Sequence, residues 1–177
     1  MTRIACVFIV AVAGLSAASA CKPPFQLVGG GCFYFSGNLK KNWFGAQEYC
    51  KSLIQGGSLA IVDDCNLMRP LWNHIVLTYG KSEHWLGALD RHHEGSWIWV
   101  DGSTVTMGMP FWAFDQPDNF RGQENCLEFS HTKSGYFNDQ QCSHEISFVC
   151  QAPMSRISWP RQNTIHILES LKRNSLH

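Results

Sequence analysis

The sequence predicts a disulfide-stapled α+β domain, and two observations predict it. Two stretches with helical spacing, 42–53 and 68–79, are set among short apolar runs of strand length. Of eight cysteines in 177 residues, seven stand behind a leader of secretory type, a setting in which most of them are expected to pair.

The length suits one domain with extensions. Seven Trp and eleven Phe are available for a core, and the formal net charge is zero. A neutral chain has no bulk electrostatic pull towards nucleic acid or an anionic membrane. Residues 1–20 read as a signal peptide. Arg3 gives a short positive start, Ile4 to Ala13 is apolar, and Ala18-Ser19-Ala20 is a small-x-small cleavage site. The mature chain would begin at Cys21 and lose Cys6. Arg3 is the only charge removed, so 13 basic residues face 14 acidic ones. The apolar run is too short to span a bilayer, and no later stretch is long and apolar enough. The expected product is secreted, with no membrane span.

Phe25-Gln26-Leu27-Val28, a Gly29-Gly30-Gly31 turn and Cys32-Phe33-Tyr34-Phe35 read as a β-hairpin. In 42–53, Trp43, Ala46, Cys50 and Leu53 fall on one helical face, with Asn42 as N-cap and Gly56-Gly57 as terminator. Leu59 to Val62 is a short strand. Met68, Leu71, Trp72, Ile75 and Tyr79 suggest a second helix, which Pro70 should make start near Arg69 or kink. Trp85-Leu86-Gly87-Ala88 suits a central strand. Trp97-Ile98-Trp99-Val100 alternates and ends at Asp101-Gly102. Residues 104–123 show no periodicity and read as a long irregular loop, of the kind that is usually functional. Cys126-Leu127-Glu128-Phe129 and Ile146 to Cys150 are closing strands. Residues 152–177, basic after Pro153, are expected to form a flexible tail, although Ile165, Leu168 and Leu171 have the spacing of a short amphipathic helix.

The chemistry concentrates between Gln116 and Asp139. Five oxygen-bearing side chains lie there: Gln116, Asp118, Glu124, Asn138 and Asp139. Carboxylates mixed with amides are what a calcium ion takes, as hard donors at flexible geometry. Cys126 and Cys142 lie where a bridge could tie the later pieces together.

The motifs Trp85-Leu86-Gly87-Ala88, Trp97-x-Trp99-x-Asp101-Gly102, Gln116-Pro117-Asp118, Glu124-Asn125-Cys126, Asn138-Asp139 and Phe148-Val149-Cys150 occur in that order. Together they resemble the C-type lectin-like domain over about residues 21–151. The resemblance implies two helices and two small antiparallel sheets with a long calcium- and sugar-binding loop. It implies the pairs Cys50–Cys150, Cys126–Cys142 and Cys21–Cys32, and leaves Cys65 over for an interchain bond, a reactive thiol or a buried free thiol. It places a calcium ion on Gln116, Asp118, Glu124, Asn138 and Asp139, with the Asp139 carbonyl as a sixth ligand and a cis peptide before Pro117.

In that family a sugar gives two vicinal hydroxyls to the ion and hydrogen-bonds the ligand side chains. The Gln-Pro-Asp order goes with galactose-type sugars, and Phe120 stands where galactose binders carry a stacking aromatic. The alternative for Phe120 is a loop- or core-packing residue. Asp90 and Glu94 match acidic positions of the family's auxiliary calcium site, but Asn119 and Asn125 stand where carboxylates are expected, and two lost charges weaken that site. His92-His93-Glu94 lacks a convergent third ligand for zinc and reads as a solvated loop.

No nucleophile motif or phosphate loop is present, and the acids come with amides, so no catalysis is expected. The expected function is calcium-dependent binding of galactose- or GalNAc-type glycans by a secreted, agglutinating lectin of innate immunity, with a homo-oligomer built through Cys65 or the tail. The alternatives are a mannose-type or broad-specificity lectin, or a calcium-dependent binder of proteins, mineral or ice.

Overall fold

A computed structural model of the chain describes residues 21–105 and 111–153. The expected leader at 1–20, the tail from residue 154 with its amphipathic spacing, and residues 106–110 of the irregular loop lie outside the described residues.

Strands β1 (Gln26–Val28) and β2 (Gly31–Phe35) form the amino-terminal hairpin, with Val28 opposite Gly31. The turn is Gly29-Gly30, at φ of 57° and 87°. Two consecutive positive φ values are what a two-residue hairpin turn demands, and glycine meets them without a Cβ penalty.

Helix α1 (Trp43–Leu53) starts at Asn42, whose Oδ1 accepts the Gly45 N–H at 2.8 Å and so satisfies one orphan donor of the first turn. Its spacing buries Trp43, Ala46 and Cys50. After β3 (Ser58–Leu59) comes α2 (Cys65–Tyr79), with Pro70 inside it. The helix thus begins four residues before Arg69, where the proline suggested it would start. Asp64 explains the difference. Its side chain accepts the Asn66 N–H at 2.8 Å, and its carbonyl accepts the N–H groups of Leu67 and Met68 at 2.9 and 3.0 Å. A capped turn is therefore in place before Pro70, which only withholds a single bond from the second turn.

The remaining strands are β4 (His84–Leu89), β5 (Ile98–Trp99), β6 (Cys126–Phe129), β7 (Phe137–Gln140) and β8 (Ser147–Gln151). The order is β1-β2-β8-β4-β6-β7, with β3 on β8 and β5 on β4. Two antiparallel groups are present, and a parallel pairing of β4 with β8, His84 opposite Ser147 and Trp85 opposite Phe148, joins them into one mixed sheet. Sequence reading did not assign β7 as a strand. Asn-Asp-Gln has little strand propensity, and pairing with β6 from Phe129↔Phe137 to Cys126↔Gln140 overrides it.

Trp43, Cys50, Leu59, Trp85 and Phe148 form one buried group; Phe33, Leu71, Trp97, Trp112 and Phe137 belong to another. A Cβ on Gly87 would come within 2.7 Å of the Leu59 carbonyl oxygen, so glycine lets the β3 segment approach β4, where the Gly87 N–H donates to the Ala60 carbonyl at 2.8 Å. Three bridges close the fold: Cys21–Cys32, Cys50–Cys150 and Cys126–Cys142. The second ties α1 to β8; the third ties β6 to the segment that follows β7. Cys65, the first residue of α2, is exposed and unbridged. Among the described residues no helix is long and apolar enough to cross a membrane.

Candidate metal and sugar site

The loop that enters the site is anchored on β7. Phe111 and Trp112 are buried, the Phe137 N–H donates to the Phe111 carbonyl at 2.8 Å, and the Ala113 N–H donates to the Phe137 carbonyl at 3.0 Å. The chain then leaves the surface. Phe114 is 85% exposed, and Asp115, Asn119 and Arg121 take positive φ of 60°, 41° and 58°. Left-handed backbone costs a non-glycine residue about 1–2 kcal/mol, so the surroundings must hold it. Such residues cluster at ligand clamps. The Gln116–Pro117 bond is cis.

Carboxylates do the holding. Asp139, fully buried on β7, accepts the Asp118 N–H at Oδ1 (3.2 Å) and the Asn119 N–H at Oδ2 (2.7 Å). Glu124 accepts the Phe120 N–H at 3.2 Å. These contacts draw together residues 21 positions apart, and one carboxylate oxygen from each of Asp118, Glu124 and Asp139 lies within 4.8 Å of the other two.

Of the other two predicted oxygen donors, Gln116 lies two residues before Asp118 and Asn138 next to Asp139. Gln116 Oε1 is buried with no hydrogen-bond partner, an omission that costs about 1–3 kcal/mol if nothing meets it. Asn138 lies on β7 and donates from Nδ2 to the Asp139 carbonyl at 2.6 Å and to Glu128 Oε1 at 3.2 Å. The Asp139 carbonyl, expected as a sixth ligand, is therefore engaged by an amide.

Burial pushes the Glu124 carboxyl above its usual range. The Phe120 N–H opposes this, and the charges of Asp139 and Asp118 add to it. Burial likewise raises Asp139 against the backbone N–H groups it accepts, with Asp118 adding repulsion. Close, partly buried carboxylates that resist ionisation together are what a divalent cation relieves. All three charged donors are hard oxygens, and Gln116, two residues before Asp118, carries an unmet amide oxygen. This donor set suits calcium rather than a softer metal.

Phe120 is 55% exposed, so it is a surface residue of the loop and not part of the core; the Arg121 guanidinium lies 5.0 Å from its ring centroid. His92, His93 and Glu94 are all exposed. Sequence reading passed over Glu128. Period-two alternation in Cys126-Leu127-Glu128-Phe129 turns it outward, yet all four residues are buried. Burial, with Glu83 nearby, pushes the Glu128 carboxyl up to about 9, and it receives the Asn138 amide. Phe114 carried no sequence signal beyond its place in the loop.

The sequence profile of the family described as the lectin C-type domain matches residues 39–152. The chain belongs to the C-type lectin family. As a C-type lectin domain it is a carbohydrate-binding module of a non-enzymatic family. It is 32% identical over 136 residues to the alpha-N-acetylgalactosamine-specific lectin of Patiria pectinifera, covering 73% of this chain and 78% of that one. It is 30% identical over 127 residues to the hepatic lectin of Gallus gallus, covering 72% of this chain and 57% of that one, so it spans little more than half of this second relative. The solved C-type lectin CEL-I from Cucumaria echinata superposes with a TM-score of 0.64 at 27% identity, over 73% of this chain and 95% of CEL-I.

Proposed function

We propose that the protein is a secreted, calcium-dependent lectin for galactose- or N-acetylgalactosamine-type glycans, with a recognition domain over about residues 21–151. The observation that carries this reading is the convergence of Asp118, Glu124 and Asp139 within 4.8 Å of one another. Gln116, Asp118, Glu124, Asn138 and Asp139 would hold the ion. A bound calcium supplies open coordination positions for vicinal sugar hydroxyls.

The chain supplies the selection. Gln116 offers an NH₂ donor, whereas ionised Asp118 and Glu124 offer only acceptors. A hydroxyl pair is thus recognised by the order in which it gives and takes protons. Phe120, more than half exposed, offers an aromatic face to the apolar side of a galactose ring. The name of the Patiria pectinifera lectin records N-acetylgalactosamine specificity for that protein, which supports the same sugar class here.

The leader at 1–20 supports secretion. Exposed Cys65 supports a disulfide between copies. Single lectin sites are shallow, and joining sites raises avidity by about 10²–10⁴-fold. In that form the protein would agglutinate microbes as an innate-immune lectin.

A glycan array run with and without chelator tests the reading. Retention on galactose-terminated glycans is expected in calcium, with release by chelator and by millimolar galactose or lactose. Binding in calcium that neither sugar competes would sink the galactose assignment. Non-reducing electrophoresis of the secreted protein tests the Cys65 link, and a purely monomeric band removes it.

A further inference from the structure

We infer that Asn119, rather than a second cation, latches the 90–96 turn to the binding loop, so that the binding face holds one calcium ion per chain. The inference rests on the calcium reading of the Gln116–Asp139 site and adds to it a positioning residue and a stoichiometry.

Asn119 makes four hydrogen bonds to separate parts of the site. Its N–H donates to Asp139 Oδ2 at 2.7 Å. Its Nδ2 donates to Glu94 Oε2 at 2.6 Å. Its Oδ1 accepts the Glu124 N–H at 3.1 Å, and its carbonyl accepts the Gly122 N–H at 2.7 Å. Three segments meet on this residue: the 90–96 turn, the binding loop and β7. Its left-handed backbone, φ 41° and ψ 53°, is one that asparagine tolerates better than most residues.

The amide is what makes the arrangement self-sufficient. One end of the side chain donates to a carboxylate while the other accepts a backbone N–H, which a carboxylate at 119 could not do. An aspartate there would set two acceptors against each other and require a cation between them. Asn119 removes that requirement. The backbone carbonyl of Asn125 accepts the Asp90 N–H at 3.2 Å, and its neutral side chain brings no charge to the turn.

Asp90 spends Oδ2 on the Gly95 N–H at 2.8 Å. Its Oδ1 is buried without a partner, but one such oxygen falls far short of the about six to eight that calcium takes. Among the described residues, the carboxylate group close enough to hold a metal is Asp118, Glu124 and Asp139, without Asp90 or Glu94. Asn119 touches two members of that group, Asp139 and Glu124. It thereby orients the ligands from outside the ion's own shell, a role whose loss typically costs about 10–100-fold in metal affinity.

Calorimetric titration of Ca²⁺ into the chelator-stripped full-length protein reads both parts. One ion per chain is expected; two overturn the latch while leaving the calcium reading intact, and none overturns both. Asn119→Ala and Glu94→Ala should each weaken calcium about 10–100-fold, with the urea midpoint in chelator unchanged for Glu94→Ala and lowered for Asn119→Ala, which places alanine in left-handed backbone. Glu94→Gln keeps an acceptor for the Asn119 amide, so it should restore near-native affinity at the same single-ion stoichiometry. If Glu94→Gln binds calcium as poorly as Glu94→Ala, or if Glu94→Ala binds as well as the native protein, Glu94 is not held by Asn119 as inferred. Should Asn119→Ala fail to fold, the two variants of exposed Glu94 still decide the matter.

Discussion

The sheet around Trp85 and the loop from Phe111 to Asn125 are built by different forces. Around Trp85, side chains of Leu59, Phe148 and Cys150 exclude water completely, and Cys50–Cys150 locks α1 to β8. Non-directional burial dominates there. In the loop, order comes from carboxylates accepting backbone N–H groups, at Asp139 and Glu124, over a backbone that repeatedly turns left-handed. The same carboxylates are the donors proposed for the metal. Damage to the core should therefore lower stability with or without calcium, whereas damage to the loop should remove binding and leave the core standing.

The largest expected effect is in the core. Trp85 is fully buried and its Nε1 donates to the Lys41 carbonyl at 3.0 Å. Trp85→Ala should cost about 3–5 kcal/mol in urea unfolding, by a similar amount in calcium and in chelator. A loss seen only in calcium would break the contrast between the two regions.

A pH dependence follows from the same core. His84 is fully buried, with Nδ1 on the Ser82 carbonyl at 3.0 Å, and burial pushes its pKa down to about 4 against the pull of that carbonyl and of Glu83. The folded pKa is below the ordinary 6.5, so the unfolded chain takes the proton first. The contribution to stability is complete above pH 6.5 and is lost as pH falls towards 4, by about 3 kcal/mol. The raised carboxyls, Glu128 above all, pull the other way and are common to both proteins, so the difference in unfolding free energy between the native protein and His84→Leu, measured in chelator, should change by this amount between neutral and acid pH. Equal slopes in the two proteins would place the acid sensitivity in a group other than His84; the loop carboxylates Glu124 and Asp139, raised by burial, act with the opposite sign.

The loop is tested by Asp118→Ala. Outer-shell losses cost about 10–100-fold in metal affinity, so loss of a direct donor should cost about 100-fold, read by calcium titration, with unfolding in chelator unchanged. Retained sugar binding in chelator would refute the metal-dependent mechanism. The smallest expected effect is at Phe120. Replacing it with Ala should weaken galactose by about 0.5–1.5 kcal/mol and leave calcium affinity as it was. A fall in both would make Phe120 a loop-packing residue after all.

The two regions also differ in how far they were legible from residues alone. The core announced itself: Trp43, Ala46 and Cys50 keep helical spacing, and Trp97 and Trp99 keep strand spacing, because burial on a regular element imposes its period. Pro70 misled about the start of α2, since the Asp64 cap outweighed a single missing N–H. β7 was invisible as a strand because its pairing with β6 overrides the weak propensity of Asn138, Asp139 and Gln140. In the loop, the donor residues were legible as types and Asn119 as a lost charge, but Glu128 behind Asn138 and the reach of Asn119 from Glu94 to Glu124 were not, for neither residue lies on a periodic face that points to its partner.

The sequence by itself determined the leader signature, the helices, most of the strands and the oxygen-rich stretch from Gln116 to Asp139. Local hydrogen bonding and side-chain period act over a few residues, so the order of residues suffices to state them. Only the tertiary structure decided that Asp118 and Asp139 meet, that Gln116 keeps a buried oxygen unpartnered, that Phe120 faces solvent and that Asn119 reaches Glu94. Those contacts span up to 25 residues and have no repeat to betray them. They depend on where the anchored ends of an irregular loop are set by Trp112, β7 and the Cys126–Cys142 bridge.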